Sequence, residues 1–291
     1  MKLQKKQKLA LVALIGARAV LAQNDTYTLL FNHGVPVRAT RTNNHGVSVG
    51  AFQLSGFLLK DDQYTLFAVP CATPLTTPSL ADINDAGDVV GECTKFPAPF
   101  EVGFLRKSSG AFTILQVPGE GRTTPSGLNN GGVIVGAVAL ANPTPTLRTQ
   151  PFLFKNGEYT KVTVPGAINA GLADINDFGD AIGQAETQIF PQQGFPFLYR
   201  NGSIIPLPQY PGSDITLMTG INNRGEIVGL ALKNAPTGQT ATYFILRNGQ
   251  FETFGIPGVL VFPHGINDKG EVTGTYSGVN GEGTSFIRRP K

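Results

Sequence analysis

Six copies of one short stretch constrain this chain more than any other feature. They read "TNNHGVSVG" (42–50), "INDAGDVVG" (83–91), "LNNGGVIVG" (128–136), "INDFGDAIG" (175–183), "INNRGEIVG" (221–229) and "INDKGEVTG" (266–274). Their last glycines, Gly50, Gly91, Gly136, Gly183, Gly229 and Gly274, are spaced by 41 to 47 residues. A fixed period of this size marks a fold built from stacked supersecondary units.

Each copy continues alike. A Phe-containing run follows: "SGFLLK", "VGFLRK", "QPFLFK", "FPFLYR", "TYFILR" and "TSFIRR". Three copies then carry Asn-Gly, at Asn156-Gly157, Asn201-Gly202 and Asn248-Gly249. This is the strongest short hairpin signal, because a type I′ turn needs positive φ at both central residues. A further apolar run closes on Pro, as in "YTLFAVP" (64–70) and "FTILQVP" (112–118). Four short strands per unit result: A ends at the Asn, B is the Val-Val-Gly run, C holds the Phe and D ends at the Pro. The period and strand count predict an all-β, six-bladed β-propeller of four-stranded blades. A linear solenoid is the rival. Against it, the last copy stops after strand C, while "YTLLF" (27–31) matches the D-strand opening "YTLF" (64–67). The N-terminal strand is therefore expected to join the last blade and close the ring.

"DINDAGD" (82–88) also looks like a calcium loop, which needs oxygen ligands at alternating positions around a Gly. The third such position is Ala86 here and Phe178 in "DINDFGD", and the first becomes Arg41, Gly127, Gly220 or Gly265 elsewhere. No metal site is expected. The turn reading uses what recurs: an Asn (Asn43, Asn84, Asn129, Asn176, Asn222, Asn267) and a Gly three residues on. Asn bonds nearby backbone and Gly supplies positive φ, while the acid between them varies freely. Strand A carries a small residue two before each Ile/Leu/Thr–Asn pair, which places it innermost. His264 is the exception and is the candidate for an axial residue, with hydrogen-bonded packing as its plainer role. Arg41 stands where the next copy has Asp82, so an ion pair between them is expected.

The leader changes the charge argument. Lys2, Lys5, Lys6 and Lys8, the apolar stretch 9–17 and small residues up to Ala22 have the form of a secretory signal peptide, residues 1–22. Cleavage after Ala19 and a retained anchor are the alternatives. That segment holds five of the 23 Lys and Arg and none of the 20 acids, so residues 23–291 carry 18 against 20 and the net charge moves from +3 to −2. No basic surface remains to attract nucleic acid. Residues 23–291 are expected as one propeller domain, a monomer with no membrane span, extracellular or periplasmic. Cys71 and Cys93 are the two cysteines, and in an exported chain they form a candidate disulfide.

The unit, with its "INDxGxVVG", its Phe strand and its "FTxLxVPG", resembles the HAF-type probable extracellular repeat family. The likeness covers all six units. The Phe of the family motif stands at Phe57, Phe104, Phe152, Phe197, Phe244 and Phe286, but its His and Ala are absent. The resemblance implies a repeat and an extracellular setting, and no activity.

Function is expected where the copies differ. The B–C and D–A connections are long and variable, and loops held by a rigid scaffold carry binding. Phe96, Phe100, Phe190, Arg148, Gln192 and Tyr276 on this face are candidates for a carbohydrate, or an extracellular or cell-envelope protein or peptide, with packing of the rings onto the blades as the bland reading. Neither a Ser nucleophile elbow, nor a metal-ligand cluster, nor a phosphate loop is seen, and no cofactor is expected. Glu92, Glu101 and Glu186 are the acids of that face. The expectation is a secreted binding or scaffolding module. Alternatives are a hydrolase or lyase with its site at the axis, and a structural cell-envelope protein.

Overall fold

A computed structural model describes residues 25–32, 35–69, 77–94, 101–189, 193–236, 238–255, 259–277 and 283–290. The glycine that ends each repeated motif and the Phe of the following run explain each other. Gly50, Gly91, Gly136, Gly183, Gly229 and Gly274 lie directly opposite Phe57, Phe104, Phe152, Phe197, Phe244 and Phe286 in antiparallel register. All six rings are fully buried. A Cβ on Gly183 would lie 2.4 Å from the Gly171 carbonyl oxygen and 2.6 Å from Phe197 Cζ. The ring takes the space that any side chain on the B strand would need, and so covers the backbone there.

The strands follow the predicted order. The first repeat forms β3 (Arg38–Thr42), β4 (Ser48–Phe52), β5 (Ser55–Lys60) and β6 (Gln63–Phe67). The second forms β7 (Ser79–Ile83), β8 (Val89–Thr94), β9 (Glu101–Arg106) and β10 (Phe112–Leu115). The third forms β11 (Thr123–Leu128), β12 (Ile134–Thr144), β13 (Leu147–Lys155) and β14 (Glu158–Lys161). The fourth forms β15 (Asn169–Ile175), β16 (Ala181–Gln188), β17 (Gln193–Arg200) and β18 (Ser203–Pro206). The fifth forms β19 (Ile215–Ile221), β20 (Ile227–Ala235), β21 (Gly238–Arg247) and β22 (Gln250–Phe254). The sixth forms β23 (Leu260–Ile266), β24 (Val272–Ser277) and β25 (Gly283–Arg289). Ahead of them come β1 (Thr26–Asn32) and the two-residue β2 (Val35–Pro36).

These strands make an all-β propeller of five hydrogen-bonded sheets: three of four strands, one of five and one of eight. The eight-stranded sheet consists of the third and fourth repeats, whose antiparallel meanders touch through one parallel pair, Thr149 opposite Asn169. In the five-stranded sheet β1 pairs antiparallel with β25, Leu29 opposite Phe286. Arg288 of β25, 1% exposed, donates from Nε to Asp25 Oδ2 at 2.6 Å and lies over the Phe254 ring.

The apolar cores lie between successive repeats rather than at one centre. Val90, Leu115 and Val117 of the second pack with Leu128, Ile134 and Phe152 of the third, and Ile182 and Leu198 of the fourth with Met218 and Phe244 of the fifth. Each A strand is bulged at one position. The register slips between Ala39 and Arg41, Leu80 and Asp82, Pro125 and Gly127, Leu172 and Asp174, Met218 and Gly220, and Pro263 and Gly265. The extra residues are the small ones noted in the sequence, with His264 in the last copy. Thr40, Ser126 and Thr219 bond the carbonyls of Val49, Val135 and Val228 across the bulge. A bulge re-aims the next side chain; here that side chain is Arg41, Asp82 or Asp174, or it is a glycine.

Candidate functional site

The A–B turns converge on a hydrogen-bonded mouth. In each, the Asn side-chain oxygen accepts turn N–H groups, as Asn176 Oδ1 does from Phe178 and Asp180, and the closing Gly has φ between 72° and 84°. The Asn amide nitrogen points to the next repeat. Asn43 donates to the Asn84 carbonyl, Asn84 to Asn129, Asn129 to Asn176, Asn176 to Asn222, Asn222 to Asn267 and Asn267 back to Asn43, at 2.9 to 3.3 Å. The turn reading of these stretches is what the geometry shows.

The residue after each of these Asn does not vary freely, contrary to expectation. It alternates: Asn44, Asp85, Asn130, Asp177, Asn223, Asp268. Each main-chain N–H in this second cycle donates to the next residue's side-chain Oδ1, at 2.7 to 2.9 Å. Each of the three amides also donates to the Oδ2 atoms of both flanking carboxylates. A carboxylate only accepts and an amide can donate twice, so strict alternation satisfies every member. Burial acts upward on the Asp85 carboxyl, but the hydrogen bonds from Asn44 and Asn130 outweigh it and hold it below the ordinary range.

One level deeper, Arg41 fills the axis. Its Nε lies 3.4 Å from Asp82 Oδ1, its Nη2 lies 3.4 Å from Asp174 Oδ2, and Nη2 donates to the Thr219 carbonyl at 3.0 Å. The expected Arg41–Asp82 pair therefore has a third member. Gly265, at the equivalent position of the sixth repeat, makes room: a Cβ there would lie 2.1 Å from Arg41 Nη1. Both carboxylates also tie neighbouring repeats, Asp82 Oδ2 accepting from Leu128 N–H and Asp174 Oδ2 from Ile221 N–H. Burial, then the nearby Asp174, pushes the Asp82 carboxyl up to about 7 against the pull of Arg41. Burial raises Asp174 too. His264, half-buried, has Nε2 3.2 Å from Thr275 Oγ1, and burial with the Arg41 charge lowers its pKa to about 4.

The mouth opens as a depression lined by the two cycles with Arg41, Asp82 and Asp174 beneath. Phe178, the residue after Asp177 in the same turn, is 75% exposed. The opposite face differs. There the B–C hairpins β12–β13, β16–β17 and β20–β21 have strands of 8 to 11 residues, against 5 and 6 in the first repeat. Among the described residues, three consecutive repeats thus raise a wall whose exposed positions include Thr144, Thr146, Thr187, Gln188, Gln239 and Thr240.

The sequence candidates divide. Phe96, Phe100, Phe190, Gln192 and Cys71 lie outside the described residues. Arg148 is exposed on β13, in the wall. Tyr276 is half-buried and packs against the core around Val261 and Val272, which leaves less of its ring to serve as a platform. Cys93 is 4% exposed on β8. Glu92 and Glu101 are both held by Arg122, at 2.7 Å each, and Glu186 accepts from Asn169. The residues the sequence reading missed are the alternating ring and Asp174. Their signal was the Asn/Asp alternation, visible only when the six copies are read as a circle.

No protein-family model matches the chain, and no curated protein sequence matches it. Among solved structures it is similar to TolB from Acinetobacter baumannii (TM-score 0.51, 11% identity, 81% of this chain and 59% of that one). It is also similar to the β-propeller domain of the trilobed protease from Pyrococcus furiosus (TM-score 0.55, 10% identity, 92% and 85%). A third is a gluconolactonase from Xanthomonas campestris (TM-score 0.53, 9% identity, 92% and 91%). At these identities the likeness shows the propeller fold alone. No helix among the described residues is long and apolar enough to cross a membrane.

Proposed function

We propose that this chain is an exported six-bladed propeller of the HAF repeat type that binds or scaffolds, with its recognition surface on the hairpin wall. The wall is the observation that carries the reading. Three neighbouring B–C hairpins extend well past the sheets and present hydroxyl and amide side chains together with Arg148. Exposed hairpin edges and such side chains suit an extended polar ligand, a carbohydrate or a peptide of the cell exterior. Six repeats, the single parallel contact inside the eight-stranded sheet and the β1–β25 pairing support six blades closed by the N-terminal strand. A signal peptide over 1–22, a monomer in the periplasm or outside the cell, and a Cys71–Cys93 disulfide belong to the same reading.

The test is a glycan and peptide binding screen in which residues 140–146, the tip of β12–β13, are replaced by Asn-Gly. The expected result is a ligand that binds the parent and not the shortened variant, at unchanged melting temperature. A ligand indifferent to the shortening removes the wall from the reading.

A hydrolase or lyase at the axis is the second reading. It is favoured by Asp82, whose carboxyl is pushed up to about 7 and so suits general acid–base work. It expects turnover that falls at least about a hundredfold in Asp82→Asn. The satisfied bonds of Asp82 to Ile83 and Leu128 N–H favour the structural role instead.

A further inference from the structure

We propose that the wall-side end of the axis takes the last residue of a peptide, its terminal carboxylate on Arg38 and its apolar side chain against Phe262 and Leu260. The proposal rests on reading the wall-side face as the recognition surface, and names what that surface takes. Each A strand neighbours the A strands of the repeats before and after it, with β23 beside β3. Opposite the residue after each B-strand glycine stand Arg38, Ser79, Thr124, Gly171, Leu217 and Phe262. None of these six is buried, whereas the residue that follows each of them is. Ala39, Leu80, Leu172 and Met218 among the latter pack between repeats. The six therefore form an open level around the axis, at the height of Arg38 and on the side of the wall.

This level is two-sided. Phe262 is 42% exposed and Leu260, two residues further out on β23, is 55% exposed. The half-buried Leu217 and Ile215 of β19 continue the apolar side. On the neighbouring β3 stands Arg38, exposed and without an ion pair among the described residues. The described acids of this face are already engaged. Arg122 holds Glu92 and Glu101, Lys161 holds Glu120, Lys233 holds Asp214, and Glu186 accepts from Asn169. A spare guanidinium beside exposed apolar side chains is complementary to an anion joined to an apolar group. The last residue of a peptide carries both on one carbon atom, and its carboxylate can accept two N–H bonds from the guanidinium. The residues before it then run towards the wall, whose Thr and Gln side chains suit main-chain amides.

The experiment is calorimetric titration of the full chain with acetyl-Thr-Gln-Ser-Thr-Leu as the free acid, its carboxamide, the free acid ending in Ser instead of Leu, and decanoate. The Leu acid is expected to bind at least about tenfold more tightly than either the carboxamide or the Ser acid. Arg38→Gln should erase the preference for acid over carboxamide, and Phe262→Thr the preference for Leu over Ser. Both should leave the melting temperature unchanged, because both side chains are exposed. Shortening residues 140–146 should weaken acid and carboxamide by one common factor. If it weakens neither while their ratio persists, the hairpin wall falls and the proposal stands. No binding of the Leu acid at millimolar concentration, equal binding of the carboxamide, or an unaltered ratio in Arg38→Gln each overturns the proposal. So does decanoate binding as tightly as the Leu acid, which would make the ligand a fatty acid and not a peptide.

Discussion

When the chain folds, Asp82 takes up a proton over a pH range in which His264 gives one up. The Asp82 pKa rises from an ordinary 3.8 to about 7, so its contribution to stability is full below about 3.8 and is lost as pH rises through 7. The His264 pKa falls from 6.5 to about 4, so its contribution is full above 6.5 and is lost as pH falls through 4. Between about pH 4.5 and 6.5 the two slopes, about 1.4 kcal/mol per pH unit each, oppose one another. The opposing slopes are expected to cancel in part there, with the raised Asp174 carboxyl adding to the side of Asp82. Asp82→Asn should tilt the profile towards lower stability as pH drops below 6.5 relative to the parent, and His264→Gln should tilt it the opposite way. Urea titrations at half-unit steps check both signs, and parallel profiles for parent and variants would contradict the shared-axis account. The Gly–Phe pair belongs to this scale too. Gly183→Ala places a methyl 2.4 Å from a carbonyl oxygen and 2.6 Å from the Phe197 ring. A loss of about 2–3 kcal/mol is expected from such overpacking, read from the denaturation midpoint.

At the scale of the element, the repeat determines its own hairpins. Asn156, Asn201 and Asn248 have φ near +50° and the glycines after them φ between 76° and 89°, as the Asn-Gly pairs predicted. Asn201→Val, a β-branched residue at positive φ, should cost about 1–2 kcal/mol without loss of cooperativity in a melting curve. The strand order was legible because apolar alternation and turn residues are local properties. The bulge in each A strand was not. Its extra residue was noticed in the sequence only as small, because a bulge shows itself in cross-strand register and not in the composition of one strand. The wall hairpins were legible as variable loops, but not as strands of up to 11 residues. Their Thr, Asn and Gln content reads equally well as loop.

At the scale of the whole molecule, the contact between β1 and β25 joins residues some 260 positions apart, and Arg288 holds it from inside. With Arg288 1% exposed, its ion pair with Asp25 cannot be replaced by water. Asp25→Ala should therefore cost about 3 kcal/mol, since it leaves a buried charge without its main partner. Asp25→Ala together with Arg288→Met should recover a good part of that loss, as a double-mutant cycle by chemical denaturation would show. Two cycles, of six and of twelve hydrogen bonds, add a constraint of another kind. Each bond crosses from one repeat to the next, and none satisfies its own repeat alone.

The sequence by itself determined the repeat, the strand order and the turns, because each depends on neighbours within about 45 residues. Tertiary structure alone decided what the variable positions of the repeat do. Arg41, Asp82 and Asp174 come from three different copies, and Asn44 meets Asp268 only when the first copy lies beside the last. Within one copy, residue 44 or 85 is merely a polar turn position. Around the axis it is either a donor between two acceptors or an acceptor between two donors, and hydrogen-bond complementarity is a property of the pair.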